Sequence, residues 1–256
     1  MTALHYLDPN PEGSPAALLL HGLGANASSW TLQFTPLIES GFRPIAPDVP
    51  GFGKSPYDGR GWSIARVAGD VAGLLNSIPA VPAQVVGISM GGVIAQQVAL
   101  DFPRTVDKLV LVNTFSFLRP KKPSGWFYFL QRFMLVHLLG LPTQAKFVAK
   151  RIFPGEDQRT MRDLLIEQIS QADPRAYRAA MRSLGLFNSS KRLAEISAKT
   201  LVITGQCDTT VPLENQKYLV EHIQNATQTF IPGAGHAVTI DKPDAFNETL
   251  LDFIMS

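Results

Sequence analysis

The chain has 256 residues, 45% of them hydrophobic, with 23 Lys+Arg against 21 Asp+Glu and one cysteine. A chain of this length makes one or two domains, with a core large enough to need no disulfide staple. Its apolar content excludes a disordered chain; the lone Cys207 excludes an internal disulfide and a multi-cysteine metal site; a net charge of +2 gives no footprint for nucleic acid.

The opening residues 1–7 lack a basic stretch followed by a long apolar one, so no signal peptide is expected. Ala3–Leu7 can add an antiparallel edge strand. Ala16–His21 is a continuous apolar run of the kind a buried parallel strand needs, and Arg43–Pro47, Ala83–Ile88, Lys108–Asn113, Thr200–Gly205 and Thr227–Ile231 repeat it. Between them the spacing predicts helices over Trp30–Glu39, Ile64–Ser77 with Ser63 as N-cap, Met90–Phe102, Leu213–Ile223 and Pro243–Ile254. Strands alternating with helices imply βαβ units and a mostly parallel, twisted sheet flanked by helices, an α/β fold.

The alternation stops between Asn113 and Thr200. That stretch predicts only helices: Trp126–Leu139, Thr143–Arg151, Asp157–Ser170 opening on an acidic N-cap, and Asp173–Leu186 opening on Asp then Pro. It is also the basic part of the chain. Residues 116–195 hold 14 Lys+Arg against 6 Asp+Glu, a charge of +8, which leaves −6 for the remainder. The organisation expected is a core of residues 1–114 and 196–256, with a helical cap at 115–195 above the carboxyl ends of the strands, where open α/β sheets place ligands. The apolar stretches Ala16–Leu20 and Trp126–Leu141 are both short for a bilayer span, so a cytoplasmic protein is expected.

The chemistry is concentrated at strand ends. Gly87-Ile88-Ser89-Met90-Gly91 follows a predicted strand and opens a predicted helix, the context of a G-x-S-x-G nucleophile elbow. Side chains at 87 and 91 would crowd the turn that exposes the Ser89 hydroxyl. A serine hydroxyl needs a base. Of the five histidines, His236 sits in a Gly-rich loop, Pro232-Gly233-Ala234-Gly235-His236, after the last strand. His5 and His222 read as surface residues, and His137 as packing or pocket lining. The base needs a carboxylate, and Asp208 follows the fifth parallel strand, ahead of Asp241 and Asp244, which read as residues at a helix start. Asn113 and Thr114, after the preceding strand, offer none. Oxyanion donors are the backbone N–H groups of Met90 and of Leu23 in His21-Gly22-Leu23-Gly24. Cys207, following a buried strand, reads as inert packing.

Taken in order, these motifs resemble the α/β-hydrolase fold family, in its lid-bearing esterase and C–C hydrolase branch. The resemblance covers nearly the whole chain, including Asp48-Val49-Pro50-Gly51-Phe52-Gly53-Lys54-Ser55 and Val211-Pro212. It implies Ser89, Asp208 and His236 as nucleophile, acid and base, a helical cap, and an eight-stranded sheet. Only about fifteen residues precede the first parallel strand, so the first family strand is expected to be missing. Ser89 argues against the family's dehalogenases and epoxide hydrolases, which use Asp. The Gly22-Leu23-Gly24-Ala25 loop holds less glycine than C–C hydrolases of the family usually carry there.

The expectation is a serine hydrolase of carboxylic esters with hydrophobic acyl or alcohol groups, needing no cofactor and no metal. The alternatives are a C–C hydrolase or lactonase on the same triad, and a low-turnover ligand receptor that keeps the fold. Trp126, Phe129, Phe133 and His137 are expected to line the pocket from the cap. The apolar helix beside Arg119, Lys121 and Lys122 could touch a membrane; core and pocket covering is the reading preferred. Arg159, Arg162, Arg175, Arg178 and Arg182 recur at near-helical spacing among polar neighbours and are expected to face outward.

Overall fold

The computed structural model describes residues 3–118 and 123–256, with the backbone alone for 123–126, 128 and 129. One sheet holds the strands β1 (Tyr6–Leu7), β2 (Ala16–Leu20), β3 (Arg43–Pro47), β4 (Ala83–Ile88), β5 (Val106–Val112), β6 (Lys199–Gly205) and β7 (Ala226–Ile231). Their spatial order is β1-β3-β2-β4-β5-β6-β7; β1 runs antiparallel to β3 and all other pairs are parallel. The described sheet thus has seven strands, without the family's first. The predicted edge strand shortens to Tyr6–Leu7, because the His5 N–H turns to the Ser55 hydroxyl at 2.8 Å.

The central strands are buried on both faces, which is why they read as unbroken apolar runs. Alternate residues go to opposite cores. Leu18 and Leu20 of β2 join the core under α2 (Ile64–Ser77), α3 (Met90–Asp101) and α8 (Leu213–His222), whereas Ala17 and Leu19 join the core under α1 (Thr31–Glu39), the short α9 (Val238–Asp241) and α10 (Pro243–Met255). Ser63 caps α2 as expected, its hydroxyl accepting from the Arg66 N–H at 3.2 Å. The strand order reverses between β2 and β4: the chain first steps outward from β2 to β3, then returns to the other side of β2. The carboxyl ends of β2 and β4 therefore flank a crevice, the place where open α/β sheets bind ligands.

Between β5 and β6 the described chain forms α4 (Pro123–Met134), a π-helical turn Leu135–Leu139, α5 (Gly140–Ile152), α6 (Arg159–Gln171) and α7 (Pro174–Leu186). The helix predicted from Asp157 begins two residues later. A 3-10 turn, Glu156–Gln158, precedes it, with the Gln158 side chain accepting from the Gly155 N–H at 3.0 Å, so Asp157 lies inside that turn instead of capping α6. Asp173 does cap α7, accepting from Arg175 and Ala176 N–H. The insertion leaves and rejoins the core at one neck, where Phe117 pairs with Asn188 and the Ser189 N–H donates to the Ser116 carbonyl at 2.9 Å.

The insertion rests on the loop after β3. The Asp173 N–H donates to the Gly51 carbonyl at 2.8 Å, and Tyr177 of α7 packs its ring 6.4 Å from that of Phe52. Gly51 has φ +86°, and a Cβ there would stand 2.1 Å from the Ala176 Cβ. Gly41 has the same φ of +86° but open space around it. Gly51→Ala is expected to cost roughly 2–4 kcal/mol, a Tm lower by about 5–15 °C in thermal unfolding, by combining left-handed strain with displacement of α7. Gly41→Ala should show only the strain. Equal losses in the two variants would mean that α7 gives way freely.

Candidate active site

Ser89 joins β4 to α3 at φ +53°, ψ −114°, a strained conformation for a residue with a side chain. Its neighbours leave no alternative to glycine. A Cβ on Gly87 would lie 2.2 Å from the Gly91 carbonyl oxygen, and one on Gly91 would lie 2.0 Å from that of Leu20. The turn is pinned from the next strand: the Ser89 N–H donates to the Val112 carbonyl at 2.9 Å, and the Thr114 hydroxyl donates to the Ser89 carbonyl at 2.7 Å. Met90 opens α3, so its N–H belongs to the orphan donors of a helix N-terminus, whose dipole favours negative charge.

Asp208 and His236 meet beyond the carboxyl ends of β6 and β7. The His236 Nδ1 lies 3.0 Å from Asp208 Oδ2, with the carboxylate almost fully buried. The other carboxylate oxygen, Oδ1, accepts from the Thr210 and Val211 N–H groups at 2.7 and 3.2 Å. An Nδ1–H donated to Asp208 leaves Nε2 as the basic nitrogen. Ser89 and His236 line one cavity. A Ser89–His236 hydrogen bond is not among those of the described residues; ligand-free triads commonly hold that contact long until substrate binds.

Two side chains hold the His236 loop. Asn113, fully buried at φ +44°, donates from Nδ2 to the Gly235 and His236 carbonyls at 3.0 and 2.8 Å and accepts the Gly205 N–H at 2.8 Å. One amide thus ties the loops that carry Asp208 and His236 to the end of β5. Asp241, weighed as an alternative acid, instead accepts the Gly235 N–H at 2.9 Å and the Gln158 amide at 3.2 Å. Burial raises its pKa above the ordinary carboxylate value, against the Gly235 hydrogen bond. Asp244 falls in the first turn of α10.

The loop after β2 is held by a buried polar frame. His21 stands between its own neighbour's carbonyl, 2.8 Å from Nδ1 to Gly22 O, and the Val49 N–H, which donates to Nε2 at 3.1 Å. Asp48, also buried, accepts the Ala27 and Lys54 N–H groups at 2.7 and 2.9 Å and sits 2.8 Å from His5 Nδ1. His5 is therefore half-buried and bonded, not a free surface residue. Among the described residues the Leu23 N–H has no acceptor.

Burial lowers the His21 pKa, against weaker opposing effects of the Gly22 carbonyl and Asp48. The folded chain thus keeps His21 neutral, whereas the unfolded chain takes up a proton near pH 6.5. The unfolded state then binds more protons, so stability falls as pH drops below that value. Thermal unfolding of a His21→Gln variant should lose Tm less steeply than the parent between pH 7 and 5. Parallel slopes would mean that other groups carry the acid sensitivity.

The cavity above Ser89 has a volume of about 490 Å³ and a lining that is mostly apolar, including Leu23, Phe115, Val148, Phe153, Met161 and Leu165. Apart from Arg132 of α4 and Leu118, the insertion's side of it comes from α5 to α7, not from the apolar face expected. Phe133 is 51% exposed and stacks on His137, itself exposed, at 4.0 Å; neither lines the cavity. Phe127, Leu130, Met134 and Leu138 are exposed as well. Helical spacing reveals an apolar face but not which way it points, and this one points away from the core. The expected lining residues Trp126 and Phe129 lie outside the described side chains, as do Arg119, Lys121 and Lys122 altogether. Arg159, Arg175 and Arg182 are exposed, and Arg162 bonds the Phe153 and Gly155 carbonyls; none of the five arginines expected outside lines the cavity. The lining does include Arg132, which the sequence reading did not single out. Cys207 is exposed, not packed, because β6 ends at Gly205 and the chain has already left the sheet. His222 is exposed as expected.

The profile of the alpha/beta hydrolase family matches residues 17–249. The chain belongs to the alpha/beta hydrolase family. It is 33% identical, over 98% of its length and 96% of the relative's, to a protein of Variovorax paradoxus (strain S110) named for carbamate hydrolysis. It is 31% identical to a 2-hydroxy-6-oxo-6-phenylhexa-2,4-dienoate hydrolase of Burkholderia cepacia, over 93% and 87% of the two chains. Its fold superposes on an esterase from Exiguobacterium antarcticum with a TM-score of 0.92, 23% identity, and coverage of 100% and 96%. No helix among the described residues is long and apolar enough to cross a membrane.

Proposed function

We propose that this chain is a serine hydrolase that cleaves carboxylic esters with hydrophobic acyl or alcohol groups, with residues 115–195 as the cap over its site. The observation that carries the reading is the Asp208–His236 hydrogen bond, made at the cavity that Ser89 lines. His236 Nε2 takes the Ser89 hydroxyl proton as Oγ attacks the ester carbonyl carbon. The charge that develops on the carbonyl oxygen meets the Met90 and Leu23 N–H groups. The imidazolium, stabilised by Asp208, then gives its proton to the leaving alkoxide oxygen. Water attacks the acyl-enzyme, loses its proton to His236, and Ser89 recovers that proton as the acid departs. The chemistry needs no metal or cofactor.

The apolar lining supports uncharged acyl or alcohol groups near the reacting carbonyl. A second reading, cleavage of a C–C bond, a lactone or a carbamate on the same residues, draws support from the names of relatives at 29–33% identity. A ligand receptor would acylate once and slowly.

Hydrolysis of an aryl ester series tests these together. Ser89→Ala and His236→Ala are each expected to lower kcat by about 10⁴-fold or more, to similar residual rates, because the residues act as a unit. Asp208→Asn should lose roughly 10³–10⁴-fold by misplacing the imidazole tautomer. Multiple turnovers lost in all three variants support the reading. Near-parental rates in Ser89→Ala would reject it, and a single acylation without turnover would favour the receptor.

A further inference from the structure

Six large apolar side chains of the insertion are turned to solvent within one stretch of thirteen residues. Phe127, Leu130, Phe133, Met134, Leu138 and Leu139 are each 45–68% exposed. Spacings of three and four residues set Phe127, Leu130 and Met134 on one face of α4. The π-helical turn Leu135–Leu139, with its wider i→i+5 repeat, carries that face on to Leu138 and Leu139. The inward side of the same turn is fully packed, with Val136 completely buried. Other exposed large apolar residues, such as Leu32, Leu213 and Met255, fall singly on α1, α8 and α10, which is ordinary for a protein surface. A continuous row marks a place where something binds.

The charge around the row has one sign. No Asp or Glu occurs between Asp107 and Glu156, so all six acids of residues 116–195 come after Gly155. Residues 123–155 carry four Lys+Arg and no acid. Two of these, Lys146 and Lys150, are exposed on α5, on the helix stripe that starts at the exposed Thr143, just past the Leu138–Leu139 corner. The insertion is thus not evenly basic. Its acid-free part is the part with the apolar row.

That combination decides between occupants. A second copy would set two basic, acid-free faces against each other, and like-charge repulsion opposes that. The complementary partner is negative at its surface and apolar beneath it. A bilayer holding anionic phospholipid is both, and it needs no groove shaped to the helix. Phe, Leu and Met side chains of a helix lying in the interface enter the acyl boundary, while lysines stay among the headgroups. Lying on the bilayer is the geometry available, since no helix among the described residues is long and apolar enough to cross one.

We propose that the row from Phe127 to Leu139, with Lys146 and Lys150 beside it, docks the protein on the surface of an anionic phospholipid bilayer. The proposal is independent of the ester reading, because none of the six apolar side chains lines the catalytic cavity. Both the apolar and the charged contribution are required of it, and each has its own signature.

The test is co-sedimentation of the full chain with vesicles of phosphatidylcholine alone, or of phosphatidylcholine with about 30 mol% phosphatidylglycerol. The partition coefficient of the parent should be about tenfold or more higher on the anionic vesicles, and should fall about threefold or more when NaCl is raised from about 0.1 to 0.5 M. Leu130→Ser/Phe133→Ser/Leu138→Ser should lose about tenfold or more on the anionic vesicles. Lys146→Gln/Lys150→Gln should lose about threefold or more there and nothing on phosphatidylcholine. Leu213→Ser/Met255→Ser, which removes exposed apolar groups elsewhere, should bind as the parent does. Thermal unfolding checks that each variant is folded, and the lipid and salt dependence of the parent decides the matter without any variant. Equal binding of the parent to the two kinds of vesicle overturns the proposal, as does a folded triple-serine variant that binds as well as the parent. Absence of vesicle binding, with self-association in sedimentation velocity that the serine substitutions abolish, would overturn it in favour of a second copy. Absence of both would overturn it and leave the face to an acidic protein partner.

Discussion

The close approach of α3 to β2 is the constraint on which the rest of this molecule depends. At Gly91 the helix backbone comes so near the Leu20 carbonyl that even a methyl group is excluded, and at Gly87 the strand comes as near to Gly91. That contact does two things at once. It drives the chain through the unfavourable Ser89 conformation, whose strain the surrounding packing must offset. It also sets the end of β2, with Leu23 just beyond it, beside the first N–H of α3. Ser89 and the Met90 and Leu23 N–H groups are thereby positioned by the same backbone packing.

The remaining parts are held by buried polar side chains rather than by close packing. Asn113 fixes the loops of Asp208 and His236 through three hydrogen bonds, while His21 and Asp48 fix the loop of Leu23. Each is buried and bonded to backbone groups that would otherwise be left unpaired, at a cost of about 1–3 kcal/mol apiece. Such groups sit in the core but contribute orientation more than adhesion. Their arrangement explains why Asn113, placed where a carboxylate could have served as the acid, is an amide. The position needs a donor toward two carbonyls and an acceptor toward one N–H, and an ionised carboxylate can only accept.

Much of this was legible in the sequence, for a physical reason. Parallel strands buried on both faces produce short apolar runs with sharp ends, and Arg43–Pro47 and Ala83–Ile88 were located to the residue. The elbow was legible because its glycines are sterically required, and the order of Ser89, Asp208 and His236 because each follows a strand. The inner face of the insertion was not. Trp126–Leu139 has the stronger apolar pattern, yet Phe133, Leu138 and Leu139 are exposed, and apart from Arg132 the insertion's described share of the cavity wall comes from α5, α6 and α7. An isolated amphipathic pattern fixes a face; only tertiary contacts fix what the face meets. The Asn113 clamp was equally invisible, since its bonds span 92 to 123 residues.

The division between frame and insertion also bears on how a site of this kind can be adapted to different molecules. The frame fixes Ser89, the Asp208–His236 pair and the Met90 and Leu23 N–H groups. Much of the remaining cavity lining is on the insertion, which meets the core at the Phe117–Asn188 neck and through contacts such as Asp173 on Gly51 and Gln158 on Asp241. A substitution on α4 to α7 can therefore change which molecule is held without disturbing the backbone packing around Ser89. The converse does not hold: a methyl group at Gly91 would alter every reaction at once.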